Sequence, residues 1–211
     1  VELWVPHNSG ERAFAFPSVQ GDYRTAGKLI LDNNQEVPTG DYTASLLHPA
    51  YCDSSVLNEP EFKNVRETME SRWLWVFNVP FWTEKGVYVF QDNEALGMSL
   101  PLDIKNLEKM LKGGKEIAGV TFSKDRRVRF APKESYNLGY TAPEAFAKDG
   151  FIIASCGREG AEKLGEVSAE FKNNPYIGGV DVQEGQTPKQ NVSAVSEGDD
   201  RLRFDGDCWD G

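Results

Sequence analysis

Two apolar stretches decide the fold, RWLWVFNV at residues 72–79 and VYVFQ at residues 87–91. Both are rich in β-branched and aromatic residues, which favour strands. Residues 80–86 between them include a proline and a glycine and predict the turn of a β-hairpin. Because successive strand residues face opposite sides, the first stretch is apolar on both faces and is expected at the centre of a sheet.

Working outward from this hairpin, apolar residues at three- and four-residue spacing predict several helices. A second hairpin is predicted from residues 117–122 and 126–130, and an edge hairpin from residues 1–16. These pieces together predict an α+β fold with a mixed, mostly antiparallel sheet and helices packed on it. The helices are expected from Ser18 to Asn34, from Thr39 to a break at Pro49, from Pro60 onward, from Asp103 to Gly113 and from Pro143 to Gly150.

The C-terminal half predicts a β-α-β-like unit, with a strand at residues 151–154, a helix at 159–172 and a strand at 176–182. After residue 183 the chain turns polar, with Gly, Pro, Ser and five aspartates. Residues 1–183 are therefore predicted as a single α+β domain, and residues 184–211 as a polar acidic tail or surface loop.

Charge and length exclude several classes of partner. The chain has 23 Lys and Arg against 33 Asp and Glu, a net charge of −10, which disfavours nucleic acid and anionic membrane surfaces. Its longest apolar stretch, Trp73 to Trp82, is about half the ~20 residues that a membrane-spanning helix needs. A cytoplasmic location is expected. At this length a hydrophobic core can stabilise the chain without a cofactor. The three cysteines are far apart, which argues against a disulfide framework.

Cys156 is the candidate nucleophile. It lies where the predicted strand at 151–154 turns into a helix, and a thiol at a helix N-terminus has a lowered pKa. The two histidines, His7 and His48, are the possible bases, and His48 is assigned with Cys156 to a cysteine-dependent hydrolase or transferase. The competing interpretation is a small buried cysteine in the core.

The same turn offers an anion site. Gly157 and Gly160 allow close backbone approach, and Arg158 supplies a charge beside a helix start. In the second hairpin, Arg127 and Arg129 belong to the one basic cluster of an acidic chain and are expected to grip a small anionic ligand or a partner protein. The alternative role of the glycines is tight helix packing, and the alternative for the arginines is a solvated strand face.

No metal site is predicted. His48 and Cys52 have the four-residue spacing of a helical ligand pair, but Pro49 between them argues against a regular helix, and paired CxxC spacing is absent. Trp73, Trp75 and Trp82 suit either an aromatic binding platform or the core. The sequence does not reveal the function, and it favours a non-catalytic binding or protein-interaction module over the cysteine enzyme because acid, base and nucleophile are not clustered.

Overall fold

The structure is a computed structural model that describes residues 1–211. Six α-helices pack with thirteen strands, which form one two-stranded, one five-stranded and one six-stranded sheet. The α+β class is confirmed. No helix combines the length and the apolar character that crossing a membrane requires.

The six-stranded sheet consists of β4 (Asn78–Thr83), β5 (Gly86–Gln91), β6 (Lys115–Ile117), β7 (Val120–Phe122), β8 (Val128–Pro132) and β11 (Lys189–Gln190). It is antiparallel throughout and has the order β11-β4-β5-β8-β7-β6. Every residue of β4 and β5 is buried, because their side chains alternate between two separate hydrophobic clusters on the two faces of the sheet. A central hairpin is therefore confirmed.

The bounds predicted for that hairpin are wrong. Pro80 lies inside β4 and not in the turn, and Leu74–Val76 form a separate strand, β3, that belongs to the other sheet. The chain changes sheets at Phe77, a residue that is itself buried. A continuous apolar sequence does not reveal where the chain passes from one sheet to the other, because its residues are buried in both sheets.

The five-stranded sheet contains residues that the sequence suggested were a tail. Its order is β3-β12-β13-β10-β9, and its only parallel pair is β10 with β13. Four apolar side chains of these residues are fully buried, so the prediction of a polar tail over 184–211 is wrong: these are Val192, Val195, Leu202 and Phe204. The remaining strands are β9 (Gly139–Tyr140), β10 (Tyr176–Gly178), β12 (Val192–Glu197) and β13 (Leu202–Cys208), and β1 (Glu2–His7) pairs with β2 (Gly10–Ala15) as an isolated hairpin.

Two of the helices depart from expectation. Helix α2 continues through Pro49, and residues 151–154, predicted as a strand, are the first turns of α6. Short apolar runs do not distinguish a buried strand from a buried helix, and here the side chain of Asp149 caps a helix by accepting from the N–H groups of Phe151 and Ile152. The helices are α1 (Tyr23–Asp32), α2 (Gly40–Cys52), α3 (Pro60–Ser71), α4 (Ile104–Leu111), α5 (Pro143–Phe146) and α6 (Gly150–Ala169).

Helices α2 and α6 run side by side in the same direction. Gly40 is so close to α6 that a Cβ there would lie 2.0 Å from the carbonyl oxygen of Ser155, and further along, Gly160 packs on Ala44. Within α6, Gly157 has φ 72° and ψ 169°, so that the element is two helical segments joined at a kink. The close packing and the kink together position the candidate site.

Candidate functional site

A cleft of about 370 Å³ opens at the kink of α6. It brings together four of the residues that the sequence singles out, Cys156, Gly157, Arg158 and Gly160, and adds the N-terminal hairpin, α2 and the turn between β7 and β8. The other lining residues are His7, Asn8, Asp41, Ser45, Ile117, Arg126 and Glu159. Most of them are polar, and they come from five separate parts of the chain.

A buried ion pair supports the cleft from below. Both Arg129 guanidinium nitrogens Nη1 and Nη2 donate to the carboxylate of Asp41, at 2.6 and 2.9 Å, and Nη1 also donates to the carbonyl oxygen of Ala154 at 3.1 Å. Only 3% of the Arg129 side chain is exposed. Arg129, expected to bind a ligand, instead holds Asp41 and the first half of α6 in place.

Arg127, the other arginine expected to bind a ligand, does not line the cleft. Its guanidinium lies 4.7 Å from the centre of the Phe90 ring and 3.5 Å from the carboxylate of Glu94. Arg127 therefore has different partners from Arg126 and Arg129, whose guanidinium groups both lie over the Phe122 ring.

Arg126 is the cation that the cleft presents to solvent. Its guanidinium lies 4.7 Å from the centre of the Phe122 ring, and no carboxylate forms an ion pair with it. The other lining cation, Arg158, is paired with Glu162 at 3.2 Å, and the lining carboxylates of Asp41 and Glu159 are paired as well. In the sequence, Arg126 belongs to the same basic cluster as Arg127 and Arg129. No local pattern shows which of these arginines lines the cleft.

His7 is held by hydrogen bonds on both ring nitrogens. The Asn8 side-chain amide donates to Nε2 at 2.9 Å, so Nδ1 carries the proton and donates to Ser45 Oγ at 2.8 Å. Lys163 Nζ also donates to Ser45 Oγ, at 3.2 Å. Burial lowers the pKa of His7 below its usual value of 6.5. The ring is neutral near pH 7 and cannot take a proton from Ser45, since the hydroxyl already accepts its N–H.

Cys156 and His48, the predicted catalytic pair, are not brought together. Cys156 is 2% exposed, and burial together with the Asp41 carboxylate raises the pKa of its thiol well above the usual range, although Arg129 opposes this. His48 contacts Glu166 at 2.5 Å, which is ten residues along α6 from Cys156, or about 15 Å. His7 lines the cleft in its place, a proximity that only the tertiary structure reveals.

The three tryptophans considered for a platform are in different environments. Trp82 is fully buried and donates to the carbonyl oxygen of Gly206 at 2.9 Å, whereas Trp75 is half-buried and donates to that of Gly21. Trp73 alone is largely exposed, at 56%. Trp73 and Trp75 pack edge to face with their ring centres 5.8 Å apart, but Trp82 lies in the core, so the three do not form a single aromatic surface.

A second, wider depression of about 640 Å³ lies beside α1. Carboxylates outnumber cations in its lining, and one of the cations, Lys28, is paired with Asp32. It contains none of the predicted site residues. Among all described side chains, no three of His, Cys, Asp or Glu are grouped so as to hold a metal ion in this conformation.

No protein-family model, curated protein or solved structure matches this chain. The cleft itself is therefore the feature from which a function can be inferred. Its distinctive elements are an unpaired guanidinium, a neutral histidine and a break in a helix, all within one opening of the size that small-ligand sites have.

Proposed function

We propose that this protein is a non-catalytic binding protein that holds a small oxyanion, or the phosphate, sulfate or carboxylate group of a larger ligand, in the cleft at the kink of α6. The observation that carries the proposal is Arg126, which lines the cleft with no carboxylate partner in a chain of net charge −10. An arginine in such surroundings is available to make charge-assisted hydrogen bonds to an anion.

The backbone of Arg126 supports this assignment. Its φ is 60°, in the left-handed region that costs a non-glycine residue roughly 1 kcal/mol. The turn is closed by a hydrogen bond from the Arg126 N–H to the carbonyl oxygen of Ser123 at 2.8 Å. A glycine would adopt this conformation without strain, so the presence of arginine points to a role for its side chain beyond the turn.

The kink of α6 adds a second favourable element. A helical segment of twelve residues, 158–169, begins after Gly157 and faces the cleft with its first turn. The first N–H groups of a helix lack intrahelical acceptors and carry partial positive charge, which stabilises a bound anion. The Asp41 carboxylate nearby does not cancel this effect, because Arg129 neutralises it.

Calorimetry with inorganic phosphate and sulfate, at constant ionic strength, tests the proposal. We expect binding by the wild type and an affinity about 10- to 100-fold lower in Arg126→Gln, the loss of one hydrogen bond to a charged group being worth roughly 1.5–3 kcal/mol. Arg127→Gln is the matched control and should bind as the wild type does. Absence of binding by the wild type, or equal affinity in Arg126→Gln, would show the proposal to be wrong.

A cysteine-dependent enzyme is the second candidate, because Cys156 and His7 line the same cleft. The buried thiol and the hydrogen bonds that occupy both nitrogens of His7 argue against it. Iodoacetamide labelling of the folded protein distinguishes the two. Binding alone predicts that Cys156 stays unlabelled until denaturation, whereas labelling with a midpoint well below a pH of about 8.5 would favour the enzyme.

A further inference from the structure

Strand β2 is one edge of the N-terminal hairpin and pairs only with β1. The N–H of Phe16 donates to the carbonyl oxygen of Val1 at 2.9 Å, so this facing pair is hydrogen-bonded across the hairpin. In an antiparallel ladder such pairs alternate with pairs whose N–H and C=O groups point away from each other. The register of the hairpin therefore places Glu11, Ala13 and Ala15 of β2 where their backbone groups point outward.

Other contacts of the hairpin agree with this assignment. Pro6, which has no N–H to donate, faces Glu11 at one of the positions of β1 that need none. No backbone hydrogen bond outside the hairpin involves Glu11, Ala13 or Ala15. The edge of β1 differs, because the carbonyl oxygen of Pro6 accepts from Lys163 of α6 at 3.2 Å. The open edge of the hairpin is therefore that of β2.

The edge of β2 lacks the features that usually prevent strands from pairing. Natural edge strands are commonly protected by lysine, proline or a β-bulge. Residues 10–15, GERAFA, contain neither lysine nor proline, and the register of the hairpin has no bulge. Arg12 is turned toward the protein, where it is paired with Glu36 and lies over the Tyr42 ring. A further extended strand can therefore add to this edge.

The surface beside the open edge is apolar at its centre. Leu3 and Val5 of β1 are buried, whereas Trp4 between them points to the opposite face and is 60% exposed. Trp4 faces Ala13 across the hairpin. Tryptophan is enriched in protein interfaces, where its large side chain is covered by a partner. An exposed indole next to unpaired backbone groups therefore indicates a partner that also supplies a strand.

We propose that this partner is a second copy of the chain, with β2 of each copy paired antiparallel and Ala13 on the two-fold axis. In that register the Ala13 residues exchange two backbone hydrogen bonds, and Glu11 of each copy exchanges two with Ala15 of the other. Arg12 faces Phe14, so no like charges are opposed. The small Ala13 side chains leave room for both Trp4 side chains to approach over the axis.

This pairing uses the same surface of both copies, so that every outward N–H and C=O of the edge finds its complement. The interface is small and each copy has a net charge of −10, so a reversible dimer is expected. Ala13 does not line the anion cleft. The dimer is therefore independent of the function proposed for that cleft.

Sedimentation velocity over micromolar to millimolar protein concentrations, at constant ionic strength, tests the dimer. We expect the wild type to pass from monomer to dimer. Ala13→Pro should weaken dimerisation by about tenfold or more, because proline removes the N–H that each copy donates at the axis. The hairpin should be retained, since that N–H does not bond to β1. Ala13→Ser keeps the N–H, and as the matched control it should dimerise as the wild type does.

Charge variants at the same position test the register. Ala13→Lys and Ala13→Glu should each associate more weakly than the wild type, because like charges then face each other across the axis. An equal mixture of the two should form a heterodimer, which native mass spectrometry distinguishes from both homodimers. These variants decide the question if circular dichroism shows that Ala13→Pro does not fold.

Three results would overturn the inference: a wild type that stays monomeric at millimolar concentration, a dimer that Ala13→Pro leaves unchanged, or a mixture of the charge variants that associates no better than its components. Phosphate binding at the cleft is measured separately and would be unaffected by any of them.

Discussion

The two ends of the α2–α6 interface use charged side chains in opposite ways. At the kink end, the buried Arg129 guanidinium forms a bidentate pair with the partly exposed Asp41 carboxylate and also holds a carbonyl group of α6. At the far end, His48 and Glu166 touch at the surface, where 66% of the glutamate side chain is exposed. The first pair is part of the packing, whereas the second is free to exchange partners.

This difference separates preorganised from adaptable sites. The cleft at the kink is lined by residues whose positions depend on buried contacts, so a ligand would meet an arrangement that already exists. At the far end, the contact between His48 and Glu166 involves a glutamate side chain that is mostly exposed, so little packing holds it in place. Four measurements of the free energy of unfolding can confirm or contradict the distinction.

The largest effect is expected from Arg129→Met. Removing the guanidinium leaves the Asp41 carboxylate without its charged partner, and breaking a buried pair on one side costs about 3–5 kcal/mol. Denaturant unfolding measures this loss. The double variant Asp41→Asn with Arg129→Met should regain part of it, and a loss under about 1 kcal/mol in the single variant would show that the pair does not stabilise the kink end.

Gly40→Ala tests the contact between the helices. The added Cβ would lie 2.0 Å from a backbone oxygen of Ser155, which cannot move aside cheaply. We expect a destabilisation of about 1–3 kcal/mol, the usual cost of overpacking. Gly10→Ala is the matched control, because a Cβ there meets nothing within 4 Å. Equal stability of the two variants would mean that the helices can separate.

Asp149, the cap of α6, gives the kink end a pH dependence. Burial raises its pKa to about 6, against the opposing hydrogen bonds from Asn137, Ile152 and Phe151. The folded state then binds a proton that the unfolded state has released, so this residue's contribution to stability decreases as pH rises from about 4 to about 6. The slope is on the order of 1 kcal/mol per pH unit.

Asp149→Asn should remove that slope while it keeps a capping side chain. The measurement is the difference in unfolding free energy between wild type and variant at several pH values. A difference that is constant from about pH 4 to pH 6 would contradict the raised pKa.

The smallest effect is expected from His48→Ala. The Glu166 side chain is mostly exposed, and surface contacts of this kind contribute only about 0.2–1 kcal/mol, so the variant should unfold within about 1 kcal/mol of the wild type. A larger loss would mean that the far end is as tightly built as the kink end, and the distinction between them would fail.

Local patterns predicted some elements correctly. Asp103 caps α4 by accepting from the N–H of Asn106, and the buried hairpin lies where the aromatic run indicated. Local patterns failed at residues 151–154, where burial on all sides hides the spacing of apolar residues. They also failed in β12 and β13, where apolar and polar residues alternate over only a few positions. In each case packing against distant residues, and not local preference, decides the state.

By itself, the sequence determined the α+β class, the central hairpin and the interest of residues 156–160, because periodicity, capping residues and glycine positions are local properties. Only the tertiary structure decided that His7, Asp41, Ser45 and Arg126 line one cleft with that segment, and that His48 contacts Glu166. Such contacts join residues far apart in the chain, 118 positions for His48 and Glu166 and 157 for the hydrogen bond from Lys163 to the carbonyl oxygen of Pro6. They arise because two helices pack closely at glycines, a relation between surfaces that no local pattern encodes.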